Sequence, residues 1–229
     1  MSQFKLNIAV DDINPKKGYR LLGEPAEKWF RSLNEEFGCK FNIFVPSCYH
    51  REYPISKDKS WIQELASLSF TEICTHGHFH MTSDPKLYGE CEWAELRDSK
   101  QIQERISLME NEWAECGFDL SEMGHRNPGW LCSPESKYEL QSKFKYVALH
   151  YQHNNNLEWQ CKTFFGHDGI HQENISIHNH DMIMFQSHIA GKHNHNVWNE
   201  QNYAQLRTSL TYLFENYTVE PKFLKECLY

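Results

Sequence analysis

Short apolar runs recur along the chain, and longer segments with amphipathic periodicity lie between them. In the first run, Leu6, Ile8 and Val10 alternate with Lys5, Asn7 and Ala9, and this period of two indicates a β-strand. The same reasoning predicts further strands at 41–46, 70–75, 146–150 and 182–186, and a short strand end within 123–130.

Five segments predict helices between or after these strands. In the segment 25–37, Ala26, Trp29, Phe30 and Leu33 form one apolar stripe, and the glycine that follows suits the carboxyl-terminal cap. Similar spacing predicts helices at 59–69, 99–116 and 199–214, and a serine–proline start predicts another at 134–143. The polar stretch 151–181, rich in His and Asn, yields no assignment.

Alternating strands and helices without a repeated unit predict parallel βα units, and therefore an α/β fold built as a barrel or an open sheet. We expect 229 residues to form a single domain that spans 1–229. In a barrel, the carboxyl ends of the strands meet on one rim. Candidate chemical groups follow the predicted strands at these ends: Asp11, Asp12, His76, His80, Arg126 and His188.

Composition excludes several kinds of partner. The formal charge of −8 and the lack of a Lys/Arg run argue against a nucleic-acid or anionic-membrane surface. No apolar run approaches the roughly 18 residues of a membrane span. The sequence MSQFKLNIAV leaves no room for a signal peptide, and the eight cysteines form no CxxC pair. We therefore expect a cytoplasmic protein with reduced thiols, whose oligomeric state the sequence does not address.

Histidine is the unusual component, with 14 residues that include three in the segment HGHFH. His76 and His80 share a face on a strand and also on a helical turn, so either geometry lets them bind one ion, and the spacing leaves His78 open. The adjacent carboxylates of Asp11 and Asp12 repel each other unless a cation or an arginine lies nearby. The alternative interpretation is a solvated polar loop and a strand end with two turn-forming aspartates.

Four motifs in this order resemble the polysaccharide deacetylase (NodB-like) superfamily over roughly residues 5–190. They are Asp11-Asp12 after a strand, His76 and His80 after a later strand, Arg126-Asn127-Pro128-Gly129-Trp130, and the strand-terminal His188. The resemblance implies a distorted (β/α)7 barrel and a metal-dependent carbohydrate deacetylase. It implies an acetylated sugar as the substrate, in a cell-surface glycan or its precursor, with an N-acetyl rather than an O-acetyl group removed.

The resemblance also implies a division of roles between the two aspartates. Asp11 is then the general base, and Asp12, His76 and His80 hold a divalent metal ion. One carboxylate and two imidazoles suit zinc and leave coordination positions open for water and substrate. Because a regular strand points successive side chains to opposite sides, we expect the chain to bend at 13–15 so that both carboxylates face the ion.

The remaining motifs receive roles on the same basis. Arg126 is expected to keep Asp11 ionised and oriented. A backbone N–H near Gly129 would donate to the tetrahedral oxyanion, and Trp130 is either a sugar-stacking wall or a core residue. His188 would protonate the departing amine as the general acid.

The chain departs from the family pattern in three places. Gly77 stands where Ser or Thr commonly follows the first histidine, and the residue that tunes His188 cannot be placed, with Asp168 and Asp181 as candidates. The stretch 151–181 has no counterpart and is a candidate for substrate selection.

Three other functions stay open: a hydrolase of a non-sugar amide, a glycosidase, and a catalytically silent barrel that binds a glycan.

Overall fold

The computed structural model describes residues 3–15, 25–150, 160–161, 164–166, 182–189 and 198–227. The strands among these residues are β1 (Gln3–Asp11), β2 (Phe41–Val45), β3 (Cys48–Tyr49), β4 (Tyr53–Pro54), β5 (Thr71–Thr75), β6 (Gly124–His125), β7 (Tyr146–Val147), β8 (Leu149–His150), β9 (Gln160–Cys161), β10 (Phe164–Gly166), β11 (Met182–His188) and β12 (Thr218–Pro221). The α-helices are α1 (Pro25–Phe37), α2 (Lys59–Ala66), α3 (Pro85–Tyr88), α4 (Glu92–Glu95), α5 (Ser99–Glu115), α6 (Pro134–Lys143) and α7 (Glu200–Asn216).

The main sheet runs in the order β10-β11-β1-β2-β5-β6-β7, and β12 pairs with β1 beside this path. Every pairing in it is parallel, and parallel neighbours require crossover connections of the kind that helices supply. The sheet is curled into a half-barrel with helices against it. The predicted α/β class is therefore confirmed.

The two faces of β1 separate the core from the site. Leu6, Ile8 and Val10 belong to the large apolar core shared with the helices. Ala9 belongs to a second cluster inside the curl, and the alternation of a strand puts Asp11 on the same side as Ala9. The parallel register sets Asp11 directly beside His188 at the end of β11. Two of the candidate chemical groups thus become neighbours through strand pairing alone.

The predicted elements agree with the structure except in weakly patterned regions. The segment 146–150 is divided into β7 and β8, and the helix predicted to end at residue 69 ends at Ala66. The short helices α3 and α4, the β3–β4 hairpin and β12 were not predicted, because two to four residues are too few to show periodicity. No helix among the described residues is both long and apolar enough to span a membrane.

A buried histidine below the site makes stability depend on pH. The ring of His125 is fully buried, with Nδ1 2.6 Å from Thr75 Oγ1 and Nε2 3.0 Å from Asn127 Oδ1. Burial, together with the charge of His76, lowers its pKa from 6.5 to about 3. Between these two pKa values the unfolded chain takes up a proton that the folded protein does not, so stability must fall as pH falls below 6.5.

We expect His125 to cost the protein about 2 kcal/mol of unfolding free energy between pH 7 and pH 5. Urea unfolding of the native protein and of His125→Gln at both pH values measures this. The variant should lose about 2 kcal/mol less over that interval. Equal losses in the two proteins would show that His125 does not carry the effect.

Candidate active site

The chain turns at Asp12 immediately after β1. The residue has a φ of 65°, in the left-handed region that Asp tolerates better than most residues, and Asn14 Nδ2 donates a 2.8 Å hydrogen bond to its carbonyl. The expected bend at 13–15 therefore occurs one residue earlier, at Asp12 itself. This turn lets the two neighbouring carboxylates reach different partners within the same site.

Asp12, His76 and His80 come together as a buried cluster. One potential ligand atom from each lies within 4.8 Å of the others. Asp12 Oδ1 is 2.7 Å from His80 Nε2 and 3.4 Å from His76 Nε2. The three side chains that the family resemblance assigns to a metal ion are thus adjacent.

An unsatisfied polar atom supports a cation in this cluster. Asp12 Oδ1 is buried and has no hydrogen-bond partner of good geometry. A buried carboxylate oxygen without such a partner is costly, and a cation at the cluster would satisfy it. One carboxylate and two imidazoles are also a donor set that zinc accepts. The residues present therefore fit a divalent ion.

The orientation of His76 suits a ligand. Its Nδ1 lies 2.9 Å from the carbonyl oxygen of Arg126, so Nδ1–H donates there and the lone pair of Nε2 faces Asp12. Metal-binding histidines are commonly held in this way. His78 differs, because its Nδ1 lies 2.7 Å from Ser47 Oγ and it is outside the cluster. Burial lowers the pKa of His78 to about 3, which keeps its ring neutral.

Asp12 and His80 form an ion pair when no cation is bound. Burial acts to raise the pKa of Asp12, but the charge of His80 and the close approach of both histidine rings hold it well below its usual value. Burial acts to lower the pKa of His80, and Asp12 raises it to about 9. A cation that binds here must displace the proton of His80.

Asp11 is held by two donors on the opposite side of the turn. Arg126 Nη1 donates to Oδ1 at 2.7 Å, and Gln186 Nε2 donates to Oδ2 at 2.7 Å. Arg126 is fully buried, with its guanidinium carbon 3.9 Å from the centroid of the Phe44 ring and 4.3 Å from that of Trp130. A buried arginine in such contacts fixes the direction of the carboxylate.

His188 lies at the open side of the cluster. Its side chain is 27% exposed, and Nε2 is 4.0 Å from Asp12 Oδ2. The amide nitrogen of Gln186 lies 3.2 Å from the same Nε2, so one side chain contacts both Asp11 and His188. Gln186 was not predicted from the sequence as a site residue. Its signal was a polar residue, two positions before His188, at the end of an otherwise apolar strand.

The Pro128–Trp130 turn closes another side of the site. Gly129 has a φ of 63°, and a Cβ at this position would lie 2.4 Å from Cys91 Sγ, so only glycine fits. Trp130 N donates to the carbonyl of Asn127 at 3.0 Å, and its ring packs on the Arg126 guanidinium.

Several predictions fall on residues outside the described ranges. Asp168, Asp181 and the stretch 151–181, apart from β9 and β10, are in this group.

Comparisons with known proteins give a similarity in structure and none in sequence. No family model matches the chain, and no curated protein matches it. A peptidoglycan N-acetylglucosamine deacetylase superposes with a TM-score of 0.57 at 12% identity, over 95% of this chain and 90% of that one. A deacetylase whose structure includes a substrate superposes with a TM-score of 0.53 at 11% identity, over 95% of this chain and 88% of that one.

A 4-alpha-glucanotransferase from Thermococcus litoralis also superposes, with a TM-score of 0.55 at 14% identity. The match covers 99% of this chain but only 40% of the glucanotransferase chain. The chain shares its fold with these two deacetylases. The predicted distorted (β/α) barrel is therefore confirmed.

Proposed function

We propose that this protein is a metal-dependent carbohydrate deacetylase, which hydrolyses an N-acetyl group on a sugar of a cell-surface glycan or its precursor. One observation carries the proposal: Asp12, His76 and His80 converge on a buried point, and a second carboxylate, Asp11, is held beside them by Arg126. The similarity in fold to two deacetylases supports it.

We assign the metal site to Asp12, His76 and His80, with zinc as the proposed ion. A divalent ion bound there would polarise the acetyl carbonyl and lower the pKa of a water molecule. The orientation of His76 by the Arg126 carbonyl supports its role as a ligand.

The proton transfers are assigned to Asp11 and His188. Asp11 takes one proton from the attacking water, whose oxygen forms a bond to the acetyl carbon. The C–N bond then breaks, His188 gives a proton to the departing nitrogen, and acetate and a free amine are the products. The N–H of Trp130 already donates to the carbonyl of Asn127. We therefore assign the donor to the oxyanion to the N–H of Gly129.

The surroundings of Asp11 favour catalysis over simple binding. A module that only holds a glycan has no need of a buried carboxylate that accepts from both Arg126 and Gln186 beside a metal-type cluster. Hydrolysis of a non-sugar amide remains the second candidate within the same chemistry.

A cytoplasmic location and a single domain over 1–229 are part of the proposal.

Acetate release tests this function. The zinc-loaded protein is incubated with a panel of N-acetylated nucleotide sugars, N-acetylated oligosaccharides and non-sugar acetamides. We expect release from at least one sugar, loss of activity on chelation, and recovery when zinc is returned. Release from non-sugar amides alone would favour the second candidate. Release that persists in a metal-free protein would contradict the metal-dependent assignment.

A further inference from the structure

Glu92 is a fully buried carboxylate that lies against the segment carrying the histidines. It is the first residue of α4, and its side chain points to the loop after β5 rather than to solvent. Its Oε2 accepts hydrogen bonds from three consecutive backbone N–H groups, those of His78 at 2.9 Å, Phe79 at 3.0 Å and His80 at 3.2 Å.

Arg105 on α5 balances the buried charge of Glu92. Its Nη1 forms an ion pair with Oε1 of Glu92, and its guanidinium lies 4.5 Å from the centroid of the Phe79 ring. A buried carboxylate is tolerated when it is paired and fully hydrogen-bonded, and both conditions are met here. The pair therefore links α4, α5 and the loop at 76–80 that carries the histidines.

The loop has a conformation that requires outside support. Gly77 and His80 both have positive φ, 73° and 53°, and a non-glycine residue in this region is strained. A Cβ at Gly77 would lie 2.5 Å from Glu92 Oε2 and 2.8 Å from Pro128 Cγ. The absence of a side chain at Gly77 therefore makes room for the carboxylate that holds the next three amides.

The neighbours of Glu92 reach the other side of the site. Cys91 Sγ lies 3.9 Å from the carbonyl oxygen of Gly129, and the carbonyl of Trp93 accepts from Ser133 N at 2.9 Å. The segment 91–93 thus contacts both the loop at 78–80 and the chain from Gly129 to Ser133, which follows Arg126.

We propose that Glu92, paired with Arg105, is a positioning residue that sets the affinity of the site for its divalent ion. It holds the backbone from 78 to 80 so that His80 faces Asp12 and His76, without touching the ion itself. This inference rests on the proposed function, because it concerns the same metal site.

Zinc affinity tests the inference without reference to activity. The metal-free protein is titrated with zinc against a competing chelator at a temperature where circular dichroism shows it folded. Glu92→Gln keeps the shape but weakens the acceptor and the pairing with Arg105, and we expect zinc to bind about 10- to 100-fold more weakly. Glu95→Gln is the matched control, since Glu95 lies on the same helix and accepts from Ser83. It should bind zinc like the native protein.

The outcomes separate the two proposals. Unchanged zinc affinity in a folded Glu92→Gln, even with a lower melting temperature, would overturn the positioning role and leave the proposed function intact. A native protein that binds no zinc would overturn both. If Glu92→Gln does not fold, Arg105→Gln replaces it, and it must also weaken zinc binding for the inference to stand.

Discussion

Replacing both His76 and His80 by alanine is expected to abolish binding of the divalent ion. These residues supply two of the three ligand atoms that converge on one point, and Asp12 alone cannot hold zinc against water. Metal analysis of the purified protein, after dialysis and zinc reconstitution, should give about one ion per chain for the native protein and none for the double variant.

His78→Ala is the control in the same loop. His78 is also buried but bonds to Ser47 and lies outside the cluster, so this variant should keep its zinc even if it is less stable. Full zinc binding by the double variant would refute the assignment of the ligands. Loss of zinc in His78→Ala alone, with the fold intact, would show that the loop presents different ligands.

Asp11→Asn is expected to retain zinc and lose turnover. Asparagine has the size of aspartate but cannot accept the proton of the attacking water, and positioned general bases typically contribute about 100- to 10,000-fold to the rate. Once an acetylated substrate is identified, kcat should fall by about that factor while the zinc content stays the same. Parallel measurements of acetate release and bound metal test both halves of the expectation.

Asp12→Asn supplies the comparison, since Asp12 contacts both histidines. This variant should lose metal and activity together. If Asp11→Asn abolished zinc binding and Asp12→Asn spared it, the roles assigned to the two carboxylates would be reversed.

Much of the fold follows from local pattern. The alternation of Leu6, Ile8 and Val10 predicts β1, and the apolar stripe of α1 predicts a helix that begins and ends where the structure has it. The pairing of β1 with β11, which sets Asp11 beside His188, follows from neither pattern, because register and strand order depend on contacts between segments far apart in the chain.

The site shows the same division. Their positions after predicted strands indicated that the candidate groups meet on one rim, and the family resemblance selected Asp12, His76 and His80 as metal ligands. The roles of Gln186 and Glu92 could not be predicted, because their contacts are with residues distant in sequence. Glu92 meets the backbone amides of His78 and His80 only after the chain has folded. The turn at Asp12 was assigned to the following residues, since a proline is the stronger local signal.

A crystal structure with anomalous data at the zinc edge would locate the ion itself. We expect one strong peak at about 2.0–2.2 Å from a carboxylate oxygen of Asp12 and from Nε2 of both His76 and His80, with Asp11 bound to Arg126 beside it. A zinc-soaked crystal with no peak there, or with Asp12 turned away from both imidazoles, would contradict this expectation.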